Sequence, residues 1–425
     1  MRGRRYDTVS AVFKISENVL PRSGPARVMA LATLVNTVGS GMFMTLSALF
    51  FTRVVGLSVS QVGFGLAIAG ILGLVGGVPI GHLADRYGPR GTYVTMLVVQ
   101  AAAMAAYLEV HSFWGFVLVE ALGQLAQGGS SSAKGPIIRW LGGDAPAQFR
   151  AYLRAVTNVG IALGALAAGY AVQLDTPFAY RTMVGIDAAS FLLTALIVVR
   201  ISALPVVAAP AGTHTWIALR DRPYATVTAL NGVMSVQFAV LTLGLPLWVA
   251  GHTHAPRWTI AAAMLINTIL VALLQVRAGR GVDNPALAGR AFRRGGLVFV
   301  ASSALFAYAA DTSTPWFAAT VLLIGAAVHT VGELWHQAGS FELAYGLAAD
   351  HAQGQYQGVF GLGAGLSNAI GPVVMALCLA GGQLGWLALG LGLAATGLAM
   401  PAVTRWAAAN RPHAPITAKL ATAEA

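Results

Sequence analysis

Gly81-His82-Leu83-Ala84-Asp85-Arg86-Tyr87-Gly88-Pro89-Arg90-Gly91 separates two long apolar stretches, and its reading decides the fold. Beyond the N-terminal tail it is the only dense charged patch in the first third of the chain. Glycine tolerates tight turns and close backbone approach. Three glycines, one aspartate and two arginines at this density predict a tight polar turn between two antiparallel helices.

Composition places those helices in a membrane. Only 10% of residues are charged, against about 25% in a soluble domain. The hydrophobic fraction is 56% and mean hydropathy is +0.69, so no water-soluble surface can be assembled. The 425 residues accommodate roughly twelve spans of about 20 residues with short connections. Reading between charges places them near 28–51, 58–80, 91–109, 113–134, 153–174, 180–200, 224–250, 258–276, 293–310, 315–337, 357–380 and 384–404. The ninth is weakest, because only 295–310 is free of charge, and the last two are divided only by Gly381-Gly382-Gln383. The expected fold class is an all-α membrane protein, twelve transmembrane helices in two six-helix bundles.

The net charge of +11 follows topology. With the N-terminus inside, 23 of the 26 Lys and Arg fall in the tails and inward connections, and only Arg53, Arg181 and Arg257 face outward. The positive-inside rule demands such a split, and moving the count by one helix scrambles it. Both termini are therefore expected in the cytoplasm. Anionic lipid of the bilayer, not nucleic acid, is the expected partner of the arginines. Three lysines against 23 arginines, with abundant Ala and Gly, match the bias of a GC-rich genome and point to a bacterial cell membrane.

Residues 1–27 read as a cytoplasmic tail without a cleavable signal. Within it, Val12–Leu20 suits either a surface-lying amphipathic helix or a disordered segment. Residues 28–200 form one expected bundle and 224–404 the other. The linker 201–223, with Pro205, Pro210 and Gly212, divides them, and 405–425 is a second cytoplasmic tail. A duplicated six-helix unit would repeat the 81–91 string in the second half. Gln275–Asp283 does so only faintly, through Arg277, Gly279, Arg280, Gly281 and Asp283, and reads equally well as an ordinary basic loop.

Several chemistries are excluded or disfavoured. A phosphate-cradling loop ends in Gly-Lys-Ser/Thr, but Lys14, Lys134 and Lys419 are followed by Ile, Gly and Leu. An ion or solute gradient must therefore supply the work. Gly129-Ser130-Ser131-Ser132 lacks the flanks of a nucleophile elbow. Cys378 is the single cysteine and lies in an apolar span, and His252 and His254 sit in an outward loop with no acid nearby. No metal, cofactor or enzymatic activity is expected.

The spacing G-x-L-A-D-R-x-G-x-R at 81–90 strongly resembles the signature between the second and third helices of the major facilitator superfamily. The resemblance implies that Gly81, Asp85 and Gly88, with Arg86 and Arg90 as the basic members, form a cytoplasmic gating loop. Such a loop latches the two halves when the transporter opens outward. Asp85 would accept bonds from a helix N-terminus or from an arginine such as Arg139, with the start of the eleventh span near Gly358 opposite. Pro89 stands at a usually basic position. Other segments resemble the drug-exporter branch. Gln124-Leu125-Ala126-Gln127-Gly128 matches R-x-x-Q-G with Gln124 for the arginine tied to proton coupling. Gly160, Gly164 and Gly169 resemble the antiporter motif G-x-x-x-G-P-x-x-G-G, with Ala165 for proline and Ala168 for glycine. Plain helix packing by small residues explains the same pattern.

Acids inside the bilayer are costly and need a reason to stay. Glu120 in the fourth span, Asp187 in the sixth and Glu333 in the tenth are the candidates for proton coupling. A structural hydrogen bond is the alternative for Asp187. His329, Glu333 and His336 share one helical face, with Glu333 and His336 expected near the inner interface. Asn36, Phe43, Gln124, Asn231 and Gln237 are candidate cavity residues, and methionine, aromatics and scattered amides suit a bulky, partly apolar solute. No arginine lies within the predicted spans near mid-membrane, which disfavours anionic solutes. The resulting expectation is a monomeric secondary transporter using alternating access. Proton-coupled efflux of a hydrophobic or weakly cationic small molecule leads, and import or facilitated movement of a metabolite is the alternative.

Overall fold

The computed structural model describes residues 24–411, so Val12–Leu20 and Lys419 lie outside the described residues. The described chain is a set of long helices. The first half holds α1 (Pro25–Leu49), α2 (Val59–Tyr87), α3 (Pro89–Ala106), α4 (Phe113–Gly142), α5 (Pro146–Leu174) and α6 (Pro177–Val199). The second holds α7 (Arg222–His252, in pieces), α8 (Trp258–Ala278), α9 (Pro285–Tyr308), α10 (Pro315–Gly346), α11 (Gln353–Ala380) and α12 (Gly382–Ala409). Ten of these are long and apolar enough to cross a membrane. The other two, α4 and α9, are 30 and 24 residues long but carry Gln, Ser and Lys134 in one and Arg290, Arg293 and Arg294 in the other.

Local sequence sets the helix ends. Ser58 and Gln61 close a capping box at the start of α2. Thr176 and Asn284 accept N-terminal amides of α6 and α9. Proline opens α1, α3, α5, α6, α9 and α10, where its missing N–H leaves nothing unsatisfied. The expected loop at 81–91 is shorter than its composition predicts. Helix α2 runs on to Tyr87 and α3 begins at Pro89, so the reversal rests on Gly88 alone, at φ +105°. Helical hydrogen bonding is indifferent to the apolar boundary, and a charge that ends a span does not end a helix. For the same reason α4 continues past Lys134, α5 begins at Pro146, ahead of Arg150 and Arg154, and α12 continues past 404 to Ala409.

In the first half α1 packs on α5 and α6, α2 on α4, and α3 on α4 and α6. In the second, α9 packs on α10 and α12, α8 on α10, and α7 on α11 and α12. The two bundles meet where α2 and α4 face α11 and where α5 faces α8 and α10. Helices approach on glycine: a Cβ on Gly160 or Gly164 would lie 2.0 Å or 2.1 Å from atoms of α1. These antiporter-like glycines of α5 thus serve packing inside one bundle, whereas Gly169 faces open space. Helix α7 breaks after Ser235 and resumes through a wide turn at Val240–Gly244, which leaves Gln237 in irregular backbone. Irregular backbone at membrane depth is tolerated where it is buried in protein or lines a cavity.

The face bearing Gly88, the linker and the connection between α8 and α9 is called the basic face. On the opposite face, Asp175 ends α5 in a left-handed turn, φ 46°. It forms an ion pair with Arg53 and accepts a hydrogen bond from the Tyr180 hydroxyl at 2.6 Å.

Candidate functional site

The bundles are joined at the basic face by a latch built from α2 and α11. The backbones cross in contact: a Cβ on Gly81 would lie 2.2 Å from the Gly354 carbonyl oxygen, and one on Gly358 2.6 Å from that of Gly77. This approach places Asp85 beside the free amides at the start of α11. Its carboxylate accepts the Gly354 N–H at 2.7 Å and the Gln355 N–H at 2.9 Å, one on each oxygen. An anion at a helix N-terminus meets unsatisfied donors and the positive end of the dipole. Gln355 also meets the His82 ring at 3.1 Å.

The other members of the candidate loop do different work. Arg139 does not pair with Asp85; it donates to the Gly143 carbonyl and pairs at 3.6 Å with Asp350 of the second bundle. Arg90 donates to the Ile201 carbonyl at 2.7 Å and ties α3 to the end of α6. Arg86 lies over the Tyr87 ring. Arg150 adds a second bridge between the bundles, donating to Gln357 at 2.8 Å while its guanidinium rests on Phe341 and Tyr345.

Behind the latch lies a cavity of about 670 Å³ between the bundles. Helices α4 and α5 supply one wall and α7, α8, α10 and α11 the others. Apolar lining comes from Leu153, Phe238, Leu241, Met264, Phe341 and Phe360. Asn231 and Gln237 are on the wall, held by two buried histidines of α10. His336 meets Asn231 Oδ1 at 3.2 Å, and His329 meets Gln237 Oε1 at 2.9 Å and its carbonyl at 3.2 Å. Asn36, Phe43 and Gln124 are not among the lining residues. Phe43 stacks on Tyr107 inside the first bundle, and Gln124, itself exposed, donates to Glu120 at 2.8 Å.

The three acids separate in the same way. Glu333 lines the cavity, buried, with Asn267 and Gln337 each donating to one of its oxygens at 2.7 Å. Glu333 and His336, expected to bond to solvent or to the latch, are instead buried and bonded to amides of Asn267, Gln337 and Asn231. Glu120 is buried and bonded by the hydroxyl of Tyr107, whose ring packs on Phe51. Asp187 accepts from Ser190 at 3.1 Å and presses on Gly39 of α1, with Oδ2 left without a partner. Among the described residues no three His, Cys, Asp or Glu are grouped to hold a metal.

The cavity also contains residues that charge counting assigned to a loop. Lys134, Arg150 and Arg154 all face it, on α4 and α5. This removes the ground on which anionic solutes were disfavoured. A signal was present in the spacing, since Arg150 and Arg154 stand one turn apart on one face of α5.

A chain from Escherichia coli (strain K12), an uncharacterized MFS-type transporter named YdeE, is 24% identical over 363 residues, covering 82% of this chain and 87% of that one. The fold is shared with a bacterial homologue of the iron transporter ferroportin in an outward-facing state, at TM-score 0.71 and 15% identity over 91% of this chain and 99% of that one. It is shared as well with the proton:xylose symporter XylE, at TM-score 0.65 and 14% identity over 88% and 94% of the two chains. A sequence profile of the Major Facilitator Superfamily matches residues 29–372, and the chain belongs to that superfamily of membrane transporters.

Proposed function

We propose that the chain is a proton-coupled secondary transporter that exports an amphipathic small molecule by alternating access, with the basic face in the cytoplasm. The observation that carries this reading is the cavity between the bundles, together with the Asp85 contact to α11 that joins the bundles at the basic face. Glu333 is the proposed proton site. It is the one carboxylate among the cavity's lining residues, whereas Glu120 and Asp187 sit inside the first bundle. Its amide partners hold it in place while it exchanges a proton with cavity water. The charge split supports the orientation, because 20 of the 26 basic residues lie in the tails and the segments on that face, three more line the cavity, and only three fall in the opposite connections. The exporter direction is supported by the resemblance of the fourth and fifth spans to that branch.

The experiment is flux in proteoliposomes across an imposed pH gradient, with fluorescent amphipathic probes of each charge class. Flux that follows the gradient and disappears on its collapse is expected. Glu333→Gln should leave downhill exchange of the probe and abolish the gradient-driven part. Equal flux with and without the gradient would identify a facilitator instead, and unaltered coupling in Glu333→Gln would clear that residue.

A further inference from the structure

We infer that the solute taken into the cavity carries a carboxylate on an apolar or aromatic body, bound by Arg154 and Lys134. This rests on the transport reading above only for the claim that the occupant is a solute carried across. Lys134, Arg150 and Arg154 line the cavity, and Glu333 is the single acid among its lining residues. Two positive charges therefore remain without a counter-ion. Three cations on one cavity are an unfavourable arrangement in a low dielectric unless an anion joins them.

Their donors are unspent. Arg154 bonds to no other described residue, and its Nε is shut from solvent with no partner. Among the described residues it forms no ion pair with Glu333. The Lys134 ammonium reaches only the Thr33 hydroxyl, at 3.3 Å, and leaves two of its three donors open. Arg150 differs, since its guanidinium is committed to Gln357 and to two aromatic rings. A charge that merely obeyed topology would extend to head groups or water; these two point between the bundles instead. A planar guanidinium suits a carboxylate, which can accept two parallel bonds from it, and an ammonium on the same cavity adds a second positive charge. Phe238, Phe341 and Phe360 on the other walls of the cavity offer the apolar complement.

The test is calorimetric titration of the detergent-purified full chain with three probes on one scaffold: naphthylacetate, its methyl ester and naphthylmethylammonium. Naphthylacetate should bind at least about tenfold more tightly than either other probe, the scale of a charge-assisted bond gained. Arg154→Gln and Lys134→Gln should each erase most of that preference, and Arg154→Lys should restore part of it. Gel filtration checks that each variant is folded; if none is, the order of the three probes on the unmodified protein decides alone. No binding of naphthylacetate at millimolar concentration, an equal or better ester or ammonium, or a preference that survives both glutamine variants would overturn the inference. Carboxylate preference without gradient-driven flux would sink the transport reading and leave this one standing. Gradient-driven flux of the ammonium probe without carboxylate preference would do the reverse.

Discussion

Asp85 shows how much one carboxylate can hold. It contributes charge-assisted bonds to two amides across the bundle interface, each about 1.5–3 kcal/mol. Asp85→Asn keeps an acceptor and loses the charge, so the closed latch should weaken by about tenfold or more. Faster hydrogen exchange of the Gly354 and Gln355 amides would register this, and unchanged protection would remove Asp85 from the latch. Asp175, on the opposite face, is a pH-dependent contact. The Tyr180 hydroxyl and then the Arg53 guanidinium hold its carboxyl below the usual carboxylate range. A carboxyl lowered on folding adds stability at pH values above its unfolded range, and that stability is lost as pH falls through the folded value. The pair is about half exposed, so the effect is small. Asparagine also tolerates the left-handed turn, and the melting difference between wild type and Asp175→Asn should shrink on acidification. A difference that persists below the folded value would point to the turn instead of the charge.

At the scale of elements, glycine decides how closely helices run. A Cβ on Gly296 of α9 would lie 2.9 Å from the Leu393 carbonyl oxygen, and one on Gly397 of α12 2.7 Å from that of Phe292. Gly296→Val forces these helices apart and should cost about 1–3 kcal/mol, read as a lowered thermal midpoint. An unchanged midpoint would mean that the contact relaxes freely. Small residues on a span are visible in a sequence, but their use is not. Gly160 and Gly164 pack one bundle internally, while Gly77 meets the partner bundle, and all three sit in apolar stretches of similar composition. The helix rods themselves were legible, because apolar runs of the right length have few other outcomes in lipid. Their ends were less so. Lys134 and Arg154 bounded predicted spans yet lie inside helices that run further.

For the whole molecule, the latch and the cavity make one prediction about motion. Gly354→Ala puts a Cβ 2.3 Å from the Gly81 carbonyl oxygen and 2.9 Å from Asp85. It should open the basic face. A cysteine at Ser340 on the cavity wall, in a Cys378→Ser background, should then react faster with an impermeant thiol reagent applied from that face. Equal rates with and without Gly354→Ala would mean that the α2–α11 contact does not gate access. The sequence by itself determined that this chain is a bundle of membrane helices, which face carries the basic connections, and that the Gly81–Gly91 string marks a reversal. Those features depend on local composition, on periodicity and on where charges interrupt apolar runs. The tertiary structure alone decided that Asp85 meets Gly354 and Gln355 and not Arg139. It also decided that Glu333, Arg154 and Lys134 share a cavity, while Glu120 and Asp187 are enclosed in one bundle. Those pairings join residues up to 270 positions apart. They depend on the rotation of each helix about its axis against another, a quantity that packing between bundles sets and local sequence does not encode.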